Sequence, residues 1–468
     1  MRKDNFILYL NTVGLLFYAH KGIAQEFEKP NIILILADDL GYADLSCYGA
    51  KEINTPNLDK LAREGMRFTS FYATAGVSTP TRASIMTGCY PKRVNLHVGV
   101  IPPDAEYGLN PEETTIAELL KEEGYVTGCI GKWHLGLLPE VSPVAHGFDY
   151  YYGMPGPNHG RSDLYNDAIL LKRNSEINYD SITADYTQKA TSFIKKNKDK
   201  PFFLYMAHNA VHIPLFASAN FDRHKGENAL YYNMVEELDW SCGEIYKELK
   251  NAGLLDNTII IFTSDNGPSG VAASPLHGAK GSTWEGGFRV PCIIRWPNII
   301  PAGSTCNELV TAMDFLPTLI PLAGGKVAND KKIDGYNIYP LLTNKEAKTP
   351  YPFFCYYNRE GNLSAIRAGR WKLHLLEPSE RWAGKVPRKE ALLDTKPTSP
   401  LPWLYDLNTD VGETKSVISS HKDIYQKLQS MASDFDSSLE REQRIAFSKK
   451  YPAEKTKPGT PRICGTEY

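Results

Sequence analysis

The chain reads as an α/β protein: a doubly wound, mixed but mostly parallel sheet flanked by helices, followed by a smaller C-terminal antiparallel sheet with a helix. Three observations predict it. Continuous apolar runs such as Asn31–Ala37 and Thr258–Ser264 alternate with stretches of helical periodicity up to about residue 345. Beyond that point the runs become short and closely spaced. The length of 468 residues also exceeds what one hydrophobic core usually serves. The expected division is a leader over 1–24, an α/β domain over 28–345 and an α+β subdomain over 346–468.

Taken in order, the first element is a leader. Met1-Arg2-Lys3 is basic, Phe6 to Tyr18 is apolar, and Gly22-Ile23-Ala24 precedes Gln25, the order of a secretory signal peptide with its cleavage site. The apolar run is short and interrupted against the ~20 residues a membrane span needs, so no stable membrane anchor is expected. Asn31–Ala37 is apolar throughout, as a strand buried on both faces must be. A helix is predicted over 55–65, with Thr55 as its cap, Pro56 at the first helical position and Gly65 as its stop. The alternation continues. Thr115 to Glu123 is a helix closed by Gly124, and Tyr125 to Ile130 a strand. Tyr186 to Lys196 is a helix before the strand Phe202 to Ala207, and Leu230 to Ala252 a long helix before Thr258–Ser264. In the C-terminal part, Leu363 to Leu376 and Trp403 to Leu407 read as short strands and Asp423 to Glu440 as a helix. Glu377 to Pro402, rich in Pro, Lys and Arg, reads as an exposed excursion.

Composition narrows the function classes. Hydrophobic residues at 42% and charged residues at 23% are those of a globular enzyme. A net charge of -2 gives no sign of an extended nucleic-acid surface or an acidic tail, so any anion site must be built locally. The eight cysteines, at 47, 89, 129, 242, 292, 306, 355 and 464, form no CxxC or Cys/His cluster and give no reason for zinc. Most are expected to be plain buried thiols, and any disulfide among them is unassigned.

In open α/β sheets ligands gather at the carboxyl ends of the strands. The residues that follow each predicted strand are Asp38-Asp39, Gly131-Lys132-Trp133-His134, His208 and His212, and Ser264-Asp265-Asn266-Gly267, with His277 and Lys280 beyond. Hard oxygen ligands, lysines and histidines are thus expected on one rim. Oxygen ligands suit Ca²⁺ or Mg²⁺ better than zinc. His97, His146 and His159 stand in no motif and are expected to be structural.

The segment Val77-Ser78-Thr79-Pro80-Thr81-Arg82-Ala83-Ser84-Ile85-Met86-Thr87-Gly88 resembles the signature of the type I, formylglycine-dependent sulfatases: Cys or Ser, any residue, Pro, any residue, Arg, then Thr-Gly. Other blocks are similar to the same family: Gly131-Lys132-Trp133-His134, the His212-Ile-Pro element, and Lys280-Gly-Ser-Thr-Trp-Glu-Gly-Gly-Phe-Arg-Val-Pro. Trp371-Lys372-Leu373 and Leu404-Tyr405-Asp406-Leu407 match its C-terminal part. The resemblance covers nearly the whole chain beyond the leader and implies an alkaline-phosphatase-like fold.

It also implies a chemistry. Ser78 would be oxidised to formylglycine (3-oxoalanine), placing the chain among serine-type bacterial carbohydrate sulfatases matured by an anaerobic radical S-adenosylmethionine enzyme. Asp38, Asp39, Asp265 and Asn266, with the modified residue 78, would hold one Ca²⁺. A sulfate ester resists attack because its oxygens repel nucleophiles and its alkoxide leaves poorly. Arg82, Lys132 and Lys280, with the cation, would neutralise those oxygens. One hydroxyl of the hydrated aldehyde would attack sulfur. His212 would protonate the leaving oxygen with Lys280 sharing that role, and His134 would take the proton from the second hydroxyl. An ordinary serine has no second hydroxyl.

The expected partners are a sulfated carbohydrate, the maturing enzyme and the secretion machinery, with the periplasm as destination. Asn158, His159, Arg161 and Asp163 lie in a region that resembles the sugar-facing part of sulfatases, and galactose or N-acetylgalactosamine sulfate of host or algal glycans is the favoured substrate. Two alternatives stay open at this point: a formylglycine-dependent phosphonate or phosphodiester hydrolase, and a non-catalytic sulfoglycan-binding homologue in which Ser78 is never oxidised.

Overall fold

The computed structural model describes residues 29–156, 162–269, 275–327, 331–379 and 399–449. The leader, Asn158, His159, Arg161 and Cys464 lie outside the described residues, as does most of the Glu377 to Pro402 excursion.

Five strands form the parallel centre of a ten-stranded sheet, in the spatial order Thr258–Ser264, Asn31–Ala37, Phe202–Ala207, Val126–Lys132 and Tyr150–Met154. Every residue of Asn31–Ala37 is buried, as expected for a strand covered on both faces. Its alternating side chains feed two cores (period two, one set to each face). Ile32, Leu34 and Leu36 pack with the helices Ser78–Thr87, Ile116–Glu122 and Phe315–Leu322. Ile33 and Ile35 pack with Pro56–Glu64, Ile182–Lys196 and Ala229–Asn251. The sheet is therefore doubly wound.

On one side the sheet is extended by Cys292–Arg295, Met66–Phe68 and Ser304–Cys306, and on the other by the antiparallel strands Leu164–Asn166 and Ile169–Lys172. These short extensions have too few residues for a readable period, and the sequence does not announce them. Phe354–Tyr357, Leu363–Ala368, Trp371–His374 and Trp403–Asp406 make a separate four-stranded antiparallel sheet. Leu428, Ala432 and Leu439 of the helix Lys422–Arg441 share a core with it.

Local signals behave differently at the two predicted helix starts. Thr115 caps Ile116–Glu122 in a reciprocal capping box with Glu118. Thr55 stands at the N-cap of Pro56–Glu64, but its side chain makes no cap bond; its hydroxyl lies 2.9 Å from the Ser46 amide instead. All seven described cysteines are free thiols. No described helix is long and apolar enough to cross a membrane.

Candidate active site

The strand ends converge as their sequence positions predict. Asp38 and Asp39 follow the first strand, Lys132 closes Val126–Lys132, and Asp265-Asn266 follow Thr258–Ser264. Ser78 opens the helix Ser78–Thr87 directly after Val77, and Arg82 sits one turn further on. Asp38, Asp39, Asp265, Asn266, Arg82 and Lys132 are fully buried, and Ser78 is 1% exposed. A carboxylate so desolvated is tolerable only when paired, and each one is.

Lys132 Nζ lies 2.6 Å from Asp38 Oδ2, and Lys280 Nζ lies 2.7 and 2.8 Å from the two oxygens of Asp39. Arg82 donates from Nε to Asp265 Oδ2 (2.9 Å) and from Nη1 to the Lys132 carbonyl (2.7 Å), and its Nη2 lies 2.8 Å from the same Oδ2 as an ion pair. The Ser78 hydroxyl lies 3.2 Å from Asp38 Oδ1 and 3.5 Å from Asn266 Oδ1, with the Lys132 ammonium 3.4 Å away. Asn266 Nδ2 donates to Asp39 at 2.7 Å, which turns its carbonyl oxygen toward Ser78. Burial, then the neighbouring Asp38, pushes the Asp265 carboxyl up. Burial pushes Lys132 down, with Asp38 opposing.

The two histidines occupy different electrostatic settings. His134 Nε2 lies 3.1 Å from the Ile101 carbonyl. A carbonyl only accepts, so Nε2 carries the hydrogen and the buried Nδ1, which has no hydrogen-bond partner, keeps its lone pair. Burial, then the Lys132 and Arg82 charges, holds this imidazole well below its ordinary range. His212 directs Nδ1 to the Ile213 carbonyl, and its Nε2 stands 3.6 Å from Asp39 Oδ2. Asp38, Asp39 and His212 form a group whose ligand atoms lie within 4.8 Å of one another.

Three carboxylates face three cations here. A divalent ion among the oxygens would leave the site net positive, which suits a sulfate monoanion. The donors available (Asp38, Asp39, Asp265 and the Asn266 carbonyl) are oxygens, so they fit a hard cation such as Ca²⁺.

The remaining singled-out residues sit elsewhere. His208 is buried against Ser241 Oγ (3.2 Å) and is pushed down to about 3 by burial alone. His146 bonds the Leu109 carbonyl. His277 stacks on Trp284 at 4.0 Å. Asp163 accepts from Arg173 Nη1 (2.9 Å) and the Asn174 amide (2.8 Å).

Some contributors carried no readable signal. Thr79 occupies a position where the signature accepts any residue, yet its hydroxyl donates to the His134 carbonyl at 2.9 Å and accepts from the Ile101 amide at 3.1 Å. It thereby ties the Ser78 turn to both ends of the His134 arrangement. Gly76 lets the Lys280 loop approach: a Cβ there would stand 3.1 Å from the Gly281 nitrogen and the Ser282 oxygen.

Buried cations, oxygen ligands and a helix-opening hydroxyl at one sheet end define a hydrolase of anionic esters on an alkaline-phosphatase-like fold. The sulfatase family model matches residues 30–325. Two further models match: the C-terminal region of aryl-sulfatase over 349–466 and the C-terminal region of N-sulphoglucosamine sulphohydrolase over 279–383. Human arylsulfatase A is 36% identical over 426 residues, covering 83% of both chains. Dog N-acetylgalactosamine-6-sulfatase is 36% identical over 407 residues, covering 80% of this chain and 76% of its own. Among solved structures, Ps i-CgsB bound to k-i-k-neocarrahexaose superposes with a TM-score of 0.76 at 32% identity, covering 89% of this chain and 94% of that one. The chain belongs to the sulfatase family and is a sulfuric ester hydrolase. That family generally uses formylglycine and a metal ion.

Proposed function

We propose that the protein removes sulfate from a sulfated carbohydrate, using formylglycine made from Ser78 and one Ca²⁺ held by Asp38, Asp39, Asp265, Asn266 and residue 78. The observation that carries this is the place of the Ser78 hydroxyl, between an Asp38 oxygen and the Asn266 carbonyl with Lys132 beside it. When present, formylglycine would supply a hydrated aldehyde as nucleophile and Ca²⁺ would polarise it and the sulfate oxygens.

The chain's own residues do the rest. Lys132 and Lys280 point their ammonium groups at the carboxylates lining the site, within reach of sulfate oxygens. Arg82, locked onto Asp265, holds the ligand strand end against the Ser78 helix. His134, neutral with its Nδ1 lone pair free, is fitted to take a proton. His212, with Nε2 beside the Asp39 carboxylate, is fitted to hold one and give it to the leaving oxygen.

A galactose or N-acetylgalactosamine sulfate remains the favoured substrate. Relatives named N-acetylgalactosamine-6-sulfatase and a neighbour solved with a neocarrahexaose support it. Asp163, already tied to Arg173, would contribute by ordering that rim, and Asn158, His159 and Arg161 by meeting sugar hydroxyls. The basic and apolar leader supports export to the periplasm, after maturation by a radical S-adenosylmethionine enzyme. Residues 28–345 would form the catalytic domain and 346–468 its C-terminal subdomain.

The test is peptide mass spectrometry across residue 78, on protein co-expressed with an anaerobic sulfatase-maturing enzyme. A loss of two hydrogens and reactivity with a hydrazine probe are expected. An intact serine, beside a control sulfatase matured in the same cells, would favour a non-catalytic glycan-binding role. Ser78→Ala should fold normally and lose activity by at least about a thousandfold, the order seen when a nucleophile is deleted.

A further inference from the structure

Lys280 reaches Asp39 from a loop that has its own anchorage. On the inner side, the Gly281 amide donates to the Gly76 carbonyl at 2.7 Å and the Lys280 amide to the Pro268 carbonyl at 2.9 Å. On the outer side, the loop ends in Glu285, whose carboxylate takes Lys372 Nζ at 2.9 Å. Lys372 also lies 2.9 Å from Glu413, which accepts from His374 at 2.7 Å. The second Glu413 oxygen accepts from the backbone amide of Glu285 itself, at 2.6 Å. All four side chains are completely buried. The residue between, Trp284, stacks on Trp403 of the C-terminal sheet with planes 5° apart.

Such a network is an expensive way to fill a core. Apolar residues of the same volume are often neutral or stabilising in its place. What ion pairs supply and apolar packing does not is direction: a buried carboxylate accepting from a backbone amide fixes where that amide lies. Nothing in the hydrolytic chemistry touches Lys372, Glu413 or His374. Yet they grip a segment whose other end, five residues away, carries Lys280.

We propose that Lys372 and Glu413 are positioning residues for Lys280: through Glu285, the C-terminal sheet sets where the Lys280 ammonium meets Asp39 and the sulfate. This rests on the reading of Lys280 as part of the active site. It assigns the C-terminal sheet a share in the chemistry, exercised from behind the loop.

The experiment uses the full-length, formylglycine-bearing, calcium-loaded enzyme, with rates normalised to aldehyde content. Lys280→Met, Lys372→Met and Glu413→Gln are compared, with the double variant Lys280→Met/Lys372→Met. Two substrates are used: a sugar sulfate and 4-nitrophenyl sulfate, whose leaving group needs no proton. Lys372→Met should lower kcat on the sugar sulfate by roughly ten- to a hundredfold, the scale of a misplaced group. The ratio of its losses on the two substrates should match that of Lys280→Met. The double variant should be no worse than Lys280→Met alone, because the two act as a unit. A ratio of losses on the two substrates unlike that of Lys280→Met, or losses that multiply in the double variant, would overturn the positioning role and leave Lys372 as core filling. Full activity of Lys280→Met would instead overturn the site reading, and the positioning role with it. Should Lys372→Met fail to fold, Glu413→Gln carries the same comparison, since it keeps the side-chain shape but removes the charge that pairs with Lys372.

Discussion

Arg82 and Asp265 meet at 2.8 and 2.9 Å in a pocket closed to solvent, one residue from the helix that bears Ser78 and the other from the strand end that bears Asn266. Without bound calcium, removing the arginine leaves the buried Asp265 carboxylate without its direct ion-pair partner. Arg82→Ala is therefore expected to cost about 3–5 kcal/mol of stability, read by chemical denaturation, and to abolish turnover. Arg82→Lys should be nearly as damaging, because one ammonium cannot reach Asp265 and the Lys132 carbonyl together. A fully stable Arg82→Ala would mean Asp265 is neutral in the fold.

Calcium removal should act on both activity and stability. Ion binding to the folded state alone stabilises it by mass action, about 2.7 kcal/mol at a hundred times Kd. A chelator should therefore lower Tm and abolish turnover, and added Ca²⁺ should restore both. Indifference of Tm and activity to chelation would contradict the oxygen-ligand site.

The pH profile tests His134. A general base must be unprotonated, and burial with Lys132 and Arg82 keeps this imidazole well below its ordinary range. Protonation of His134 then begins only in acid, so the acid limb of kcat, which includes the step that expels sulfate, should lie below pH 6.5. An acid limb at or above that value assigned to His134, for example by its loss in His134→Gln, would argue against the neutral imidazole.

A second pH effect concerns stability and a different group. Asp314 is completely buried, and burial raises its carboxyl to about 7 although Tyr336, Tyr351 and Thr311 donate to it. In the unfolded chain it ionises near 3.9. The fold therefore gains from holding the proton, fully below about pH 4, and loses that gain as pH rises toward 7. The span is on the order of 4 kcal/mol at most. Asp314→Asn should flatten the slope of stability between pH 4 and 7, whatever its offset. An unchanged slope would show that Asp314 is ionised in the fold.

How much of this was legible beforehand depended on what each residue does. Phe202–Ala207 and Thr258–Ser264 fall where their apolar runs predict, because strands buried on both faces leave a continuous signature. Asp38, Lys132, Asp265 and Ser78 come together at one sheet end, and their sequence signals are positions after strand ends and a motif. Ile169–Lys172 was not, since an exposed edge strand has no buried face to impose a period. Glu413 was invisible for another reason. Its partner Glu285 lies more than a hundred residues away, and nothing local distinguishes a buried carboxylate from a solvated one.

The first strand is also the middle of the sheet, paired with Phe202–Ala207 on one side and Thr258–Ser264 on the other. During synthesis it must wait for both. The ribosome reaches Ser264 roughly 190 residues after Ser78, which at 5–20 residues per second is about 10–40 s. Throughout that interval the Ser78 turn has no floor to settle on. A residue that is sealed in the finished molecule thus lacks the strand that closes over it for about 10–40 s of synthesis, and the strand order is what keeps it waiting.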